Sequence, residues 1–187
     1  MSSVTANGAA AGTALAVEGL TTSFFTYRGV VEALRDVSFE LRKGEMLGIV
    51  GETGSGKTVL VHSIVGQVRF PGRIVGGRVV FDGQDLSGLD DEAMRRIRGK
   101  RLAVIGSNPR QALDPLTKVG VQLGRAIKAH EPGLKDDAVR ARVLEALESV
   151  RIPDAKRRHD AYPHELSVGM AQRVIIAMAM LHHPDVI

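Results

Sequence analysis

Gly51-Glu52-Thr53-Gly54-Ser55-Gly56-Lys57-Thr58 is the stretch on which the fold reading turns. Gly51 and Gly56 bracket four residues, and Lys57-Thr58 completes the spacing G-x-x-x-x-G-K-[ST]. Each part has a physical job. Glycine lets the backbone adopt conformations that a β-carbon forbids and lets it approach anionic oxygens closely. Successive N–H groups in such a loop turn inward as an anion nest, and a following helix aims the positive end of its dipole at the same place. Lys57 is then expected to reach the outer phosphates of a polyphosphate, and the Thr58 hydroxyl to ligate Mg2+.

The flanks supply the context that the motif needs. Met46-Leu47-Gly48-Ile49-Val50 is a continuous apolar run directly before the loop, of a length that suits a strand covered on both faces in a parallel sheet. Directly after it, Val59, Leu60, Val61, Ile64 and Val65 predict a helix that starts near Lys57 and stops at Gly66.

Further out, Ala14-Leu15-Ala16-Val17 reads as a first strand. Val37, Phe39 and Leu41 alternate with polar neighbours as in a half-buried antiparallel strand, and Gly44 marks a turn. Val79-Val80-Phe81 reads as a short strand and Asp82-Gly83 as a turn. Asp90 to Arg98 reads as a short charged helix ending at Gly99, and Leu102-Ala103-Val104-Ile105 as a second buried strand. Amphipathic helices are predicted over 117–130 and 136–150, the second carrying Val139, Val143, Leu147 and Val150 at helical spacing. Ser167 is placed as the N-cap of a helix running to about Leu181, with Pro184 just beyond its end. The uncharged residues 1–13 read as a flexible tail, leaving 14–187 as one domain.

Composition bounds the function classes. With no Cys among 187 residues, disulfides and thiolate metal sites are excluded. No apolar run approaches the ~20 residues of a membrane span, and the N-terminus lacks a charged leader region. The net charge of +4 is read as a solvated basic surface, including Lys156-Arg157-Arg158-His159; no nucleic acid is expected as a partner. The adjacent His182 and His183 point different ways on a helix end and do not suggest a metal site.

The second half narrows the task of the loop. Tyr162-Pro163-His164-Glu165-Leu166-Ser167-Val168-Gly169-Met170-Ala171-Gln172-Arg173 resembles the signature of the ABC ATPases, in the form found in the dipeptide/oligopeptide importer branch. Gly29 to Leu34, Val37-Ser38-Phe39, Phe81 to Leu86, Pro71-Gly72-Arg73 and Ile152-Pro153-Asp154 resemble the same branch, so the likeness runs from about Ala14 to Ile187. The resemblance implies an α/β fold: a P-loop NTPase of ABC type, with an N-terminal antiparallel β subdomain and a helical signature subdomain. It implies ATP and Mg2+ as cofactors, and residues 51–58 as the phosphate loop. It also implies a head-to-tail dimer with a second ABC ATPase domain, in which Ser167, Val168, Gly169 and Met170 complete the ATP site of the partner. Phe24 matches the adenine-stacking position, with Phe25 as the alternative and core packing as the plain reading of either. Two membrane permease subunits, and a peripheral place on the cytoplasmic face of the plasma (inner) membrane, are implied as well.

Three departures from the family pattern stand out. Ser107 lies where a glutamine that contacts Mg2+ is usual, and is too short to reach as glutamine does. Gln111 is nearby, without a spacing that makes it a substitute. Val168 replaces the first signature glycine: either it crowds the phosphate and resists a positive φ, or the position needs no special dihedral. Third, His182 to Ile187 resembles the run into the Walker B strand, so the Walker B carboxylates and the switch His are not in the chain and no catalytic residue is assigned. The C-terminal part of the core is then expected to be missing, and the 187 residues alone to be poorly stable and without ATP turnover. The leading expectation is an ATP-binding subunit of an importer for peptides or similar solutes. The rivals are a catalytically silent nucleotide-binding partner and a non-transport ABC ATPase.

Overall fold

The computed structural model describes residues 12–187, which divide into two compact units, one up to Arg95 and one from Arg96 to Ile187. Most of the tail read from the sequence lies outside the described residues. Its boundary moves slightly, because Thr13 is already buried in the first strand.

The first unit is built on a four-stranded antiparallel sheet in which β1 (Thr13–Thr26) lies between β2 (Gly29–Arg42) and β3 (Gly72–Phe81), with β4 (Gln84–Asp85) beyond β3. Strands β1 and β2 form a long hairpin, far longer than the two short apolar segments suggested. The extra length comes from residues such as Thr21, Thr22 and Ser23, which pair by backbone regardless of side chain. Ala14 to Val17 are all buried, so both faces of this central strand are covered there. Helix α1 (Lys57–Ile64) is tied to β1 by a buried hydroxyl pair, Thr22 Oγ1 and Ser63 Oγ at 2.9 Å, and Gly66 follows it at φ 62°. Strand β3 pairs with the other side of β1. It turns into β4 through Asp82-Gly83, both at positive φ as a two-residue I′ hairpin requires.

The strand expected at Met46 to Val50 is not formed. These residues carry no strand assignment, and Met46 and Val50 are 95% and 94% exposed. Apolar side chains alone do not make a strand. The backbone needs a ladder partner on at least one edge, and among the described residues none pairs with this run. Helix α2 (Asp91–Ile97) spans the division between the units and is followed by Gly99 at φ 74°.

The second unit is helical. Leu102 to Ile105 proves a strand only in outline. Leu102 and Ala103 are buried, a single parallel bridge joins Leu102 to Val186, and Val104 is exposed. A short helix α3 (Pro109–Ala112), not expected from the sequence, precedes α4 (Val119–His130) and α5 (Asp136–Ser149). Val139, Val143 and Leu147 point into the core as their spacing predicts, whereas Val150 is only half-buried at the helix end. They meet Leu123 and Ile127 of α4, and Val174 and Ile175 of α7 (Val168–Met180), in one apolar cluster. Helix α6 (Ala155–His159) absorbs the basic run. Lys156 and Arg157 are exposed, but the His159 ring lies where a β-carbon on Gly120 would stand, 2.3 Å from its Cδ2. That histidine is a packing residue beside α4.

The C-terminal end of α7 is clamped. Arg142 donates to Glu131 Oε1 at 2.6 Å and to the Leu181 carbonyl at 2.9 Å, and the buried His182 ring lies 3.3 Å from the Ala126 carbonyl. The Arg142 hydrogen bond holds the Glu131 carboxyl below the usual carboxylate range, against a smaller opposing effect of burial. No helix of the described residues is long and apolar enough to cross a membrane, and no cluster among them could hold a metal through His, Cys, Asp and Glu alone.

Candidate phosphate-binding loop and signature helix

In the first unit, the loop of residues 51–58 closes on its own lysine. Lys57 Nζ donates to the Gly51 and Glu52 carbonyls, each at 2.7 Å, and to Ser55 Oγ at 3.2 Å. All three ammonium protons thus find a partner, which fixes a formal positive charge over the loop. Gly56 stands immediately before α1 at φ 92°, a left-handed conformation. A β-carbon there would also lie 2.7 Å from the Ala33 carbonyl oxygen, so both dihedral and space demand glycine. Gly54 has φ 87° with open space around it, so its requirement is conformational only. At Gly51 the φ is ordinary, but a β-carbon would come within 2.7 Å of Ser55 Oγ. Glu52, Thr53, Gly54 and Ser55 are exposed, as is Thr58 on the first turn of α1. The structure therefore offers an exposed glycine loop, a lysine held over it and the N–H groups of a helix start, a donor set that fits polyphosphate.

Phe24 is half-buried. Its Cε1 and Val68 Cγ1 occupy the space in front of Gly72, each 2.7 Å from where a β-carbon would stand. Packing thus accounts for part of this ring. Phe25 is exposed, with the Arg73 guanidinium 5.7 Å from its centroid.

The signature stretch gathers on one helix start in the second unit. Tyr162 and His164 stack at 5.6 Å, and the Glu165 carboxylate accepts the Tyr162 N–H at 2.6 Å, which shapes the approach to α7. Ser167 is the N-cap, as its type predicts: its backbone is extended and its Oγ accepts from the Met170 N–H at 3.2 Å. Val168 is the first helical residue. It is not among the residues with positive φ and is 55% exposed, so valine carries no backbone strain there. Gly169 likewise has no positive φ, and a β-carbon on it would meet nothing within 4 Å. The backbone at Val168 thus has no special dihedral. Ser107 lies in an exposed bend just before α3, which carries the exposed Gln111.

Sequence reasoning missed one residue that organises this region. Arg173 Nη1 donates to the Arg151 carbonyl at 2.9 Å. Arg151 sits at φ 56° just past α5, where the Arg151 N–H reaches the Glu148 carbonyl and the Ile152 N–H the Leu147 carbonyl. That is a Schellman cap built without glycine. The only sequence signal was the basic residue that closes the signature.

The glycine loop belongs to the first unit and the capped helix to the second. A family model described as ABC transporter matches residues 34–187, and the chain belongs to that family. The dipeptide transport ATP-binding protein of Bacillus subtilis (strain 168) is 44% identical over 92% of this chain and 52% of its own length. The oligopeptide transport ATP-binding protein of the same organism is 42% identical over 92% of this chain and 48% of its own length. The chain spans about half the length of these curated relatives. Among solved structures, a dimeric ATP-binding cassette in a post-hydrolysis state, bound to ADP and Pi, superposes with a TM-score of 0.79. It is 24% identical, over 91% of this chain and 70% of the other, a likeness of fold.

Proposed function

We propose that this chain is the nucleotide-engaging part of an ATP-binding subunit of an importer for peptides or similar small solutes. The observation that carries the reading is Lys57, held by the Gly51 and Glu52 carbonyls over a glycine loop that opens onto a helix start. Gly51 to Thr58 would wrap the phosphates of ATP, Lys57 neutralising charge and the loop N–H groups donating hydrogen bonds. The Thr58 hydroxyl would hold Mg2+, which would supply positive charge against the phosphates. Phe25 or Phe24 would stack on the adenine.

Ser167 and the N–H groups at the start of α7 would meet the outer phosphate of an ATP held by a second ABC ATPase domain, and two permease subunits would receive the resulting motion. The subunit would then lie peripherally on the cytoplasmic face of the membrane. The names of the relatives support a peptide transporter, and the exposed N-terminus of α7 supports an intermolecular role. Ser107, short and exposed, favours a second reading in which the chain binds nucleotide as a silent partner. The unstrained backbone of Val168 does not add to that reading, whereas its exposed side chain at the helix start remains compatible with it.

The partner reading is tested by affinity purification of the chain from its native cells under mild detergent. Permease subunits should copurify. Nucleic acid or ribosomes without permease would contradict it.

A further inference from the structure

We infer that Arg173 is a positioning residue that sets the roll of α7 about its own axis, and so the direction in which Ser167 and the first N–H groups of that helix face. The inference rests on the reading of α7 as the element that meets a phosphate on a second copy of the domain.

The core face of α7 constrains its roll only in part. It is rich in alanine: Ala171, Ala177 and Ala179 are buried beside Val174 and Ile175. Apolar attraction is non-directional, and a face of small side chains offers little steric interlock against a few degrees of rotation. Arg173 supplies a directional contact off that axis. It lies six residues beyond Ser167, about 9 Å along the helix, and reaches sideways to the Arg151 carbonyl at 2.9 Å.

The acceptor is itself rigid. Arg151 is locked in a left-handed conformation by the two cap bonds at the end of α5, and Ile152 beyond it is buried in the core. Three features of the bond favour it: the donor is charged, the acceptor is a carbonyl at a helix C-terminus, and the helix dipole there attracts a cation. Arg142 clamps the other end of the helix through the Leu181 carbonyl. With its far end held and its first turns tied at Arg173, α7 has one orientation, and the Ser167 Oγ to Met170 N–H cap lies at the end that this tie controls.

The test uses the full chain and variants Arg173→Met, Arg173→Lys and Arg151→Gly. Amide hydrogen exchange without nucleotide reads the start of α7. In Arg173→Met the Met170 and Ala171 amides should exchange about tenfold faster, as loss of one charged hydrogen bond implies, while Leu123 and Ile127 of α4 stay unchanged. Arg173→Lys, which keeps the charge, should recover part of that protection. Arg151→Gly, which keeps the carbonyl in the same conformation, should lose none. Sedimentation in MgATP reads presentation to a second copy: self-association should weaken about tenfold in Arg173→Met while MgATP affinity stays within about twofold of wild type.

Unchanged exchange at Met170 or unchanged association overturns the inference, as does a wild-type chain that binds MgATP yet fails to associate. A wild-type chain that does not bind MgATP shows instead that the underlying nucleotide reading has failed, and the inference falls with it. Should Arg173→Met not fold, the graded response of Arg173→Lys against Arg151→Gly decides.

Discussion

Lys57 Nζ and the Gly51 carbonyl oxygen lie 2.7 Å apart, so the first turn of α1 reaches back to the entrance of the loop that precedes it. This bond, with its companion to Glu52, closes residues 51–57 into a ring whose backbone can adopt its shape only with glycine at certain places.

Gly56→Ala should therefore destabilise the chain by about 1–3 kcal/mol, because the methyl group meets a left-handed dihedral and the Ala33 carbonyl together. Gly54→Ala meets only the dihedral and should cost less, about 1 kcal/mol. Urea unfolding followed by circular dichroism gives both values, and equal losses would contradict the contact described at Ala33.

Ser167→Ala removes the side-chain cap at the start of α7 and should cost about 1 kcal/mol. Val168→Gly should not stabilise the chain. Valine is unstrained at this first helical position, and glycine adds backbone entropy to the unfolded state. A rise in melting temperature on Val168→Gly would mean that the valine is strained after all.

Arg151→Gly should stabilise by about 1 kcal/mol, since a left-handed residue with a β-carbon is replaced by one without that penalty. The same measurement on Asp154→Gly, whose φ is 53°, should move in the same direction. A loss of stability in both would contradict the cap geometry.

The pH dependence follows from Glu131. Its folded pKa is lowered, chiefly by the Arg142 hydrogen bond, so its contribution is fully present above the unfolded glutamate value of about 4.3 and is lost as pH falls through the folded value. Asp160, lowered by its bond to His159, acts in the same sense. Stability measured from pH 6 down to about 3 should therefore fall. The slope should be shallower in Arg142→Met, which raises the Glu131 pKa towards its unfolded value. An unaltered slope in that variant would show that the clamp does not govern the acid limb.

What the sequence disclosed, and what it concealed, has physical causes. The glycine loop was legible because few residues other than Gly tolerate φ near 90°, and the α7 cap because serine at a helix start serves one purpose well. The faces of α4 and α5 were legible from the spacing of Val139, Val143 and Leu147. Met46 to Val50 misled, since an apolar run reports the demand for burial and not the presence of a ladder partner. The turns at Arg151 and Asp154 were hidden because neither is glycine. The tie from Arg173 to Arg151 was hidden because its acceptor is a main-chain oxygen, which every residue carries.

Isothermal titration of the 187-residue chain with MgATP, beside Lys57→Met, bears most directly on the phosphate loop. Saturable binding at one site is expected, weakened at least about tenfold in the variant, as removal of a charged hydrogen-bonding group from a phosphate site implies. Equal affinity in the two proteins, or no binding by a folded wild-type chain, would contradict the account.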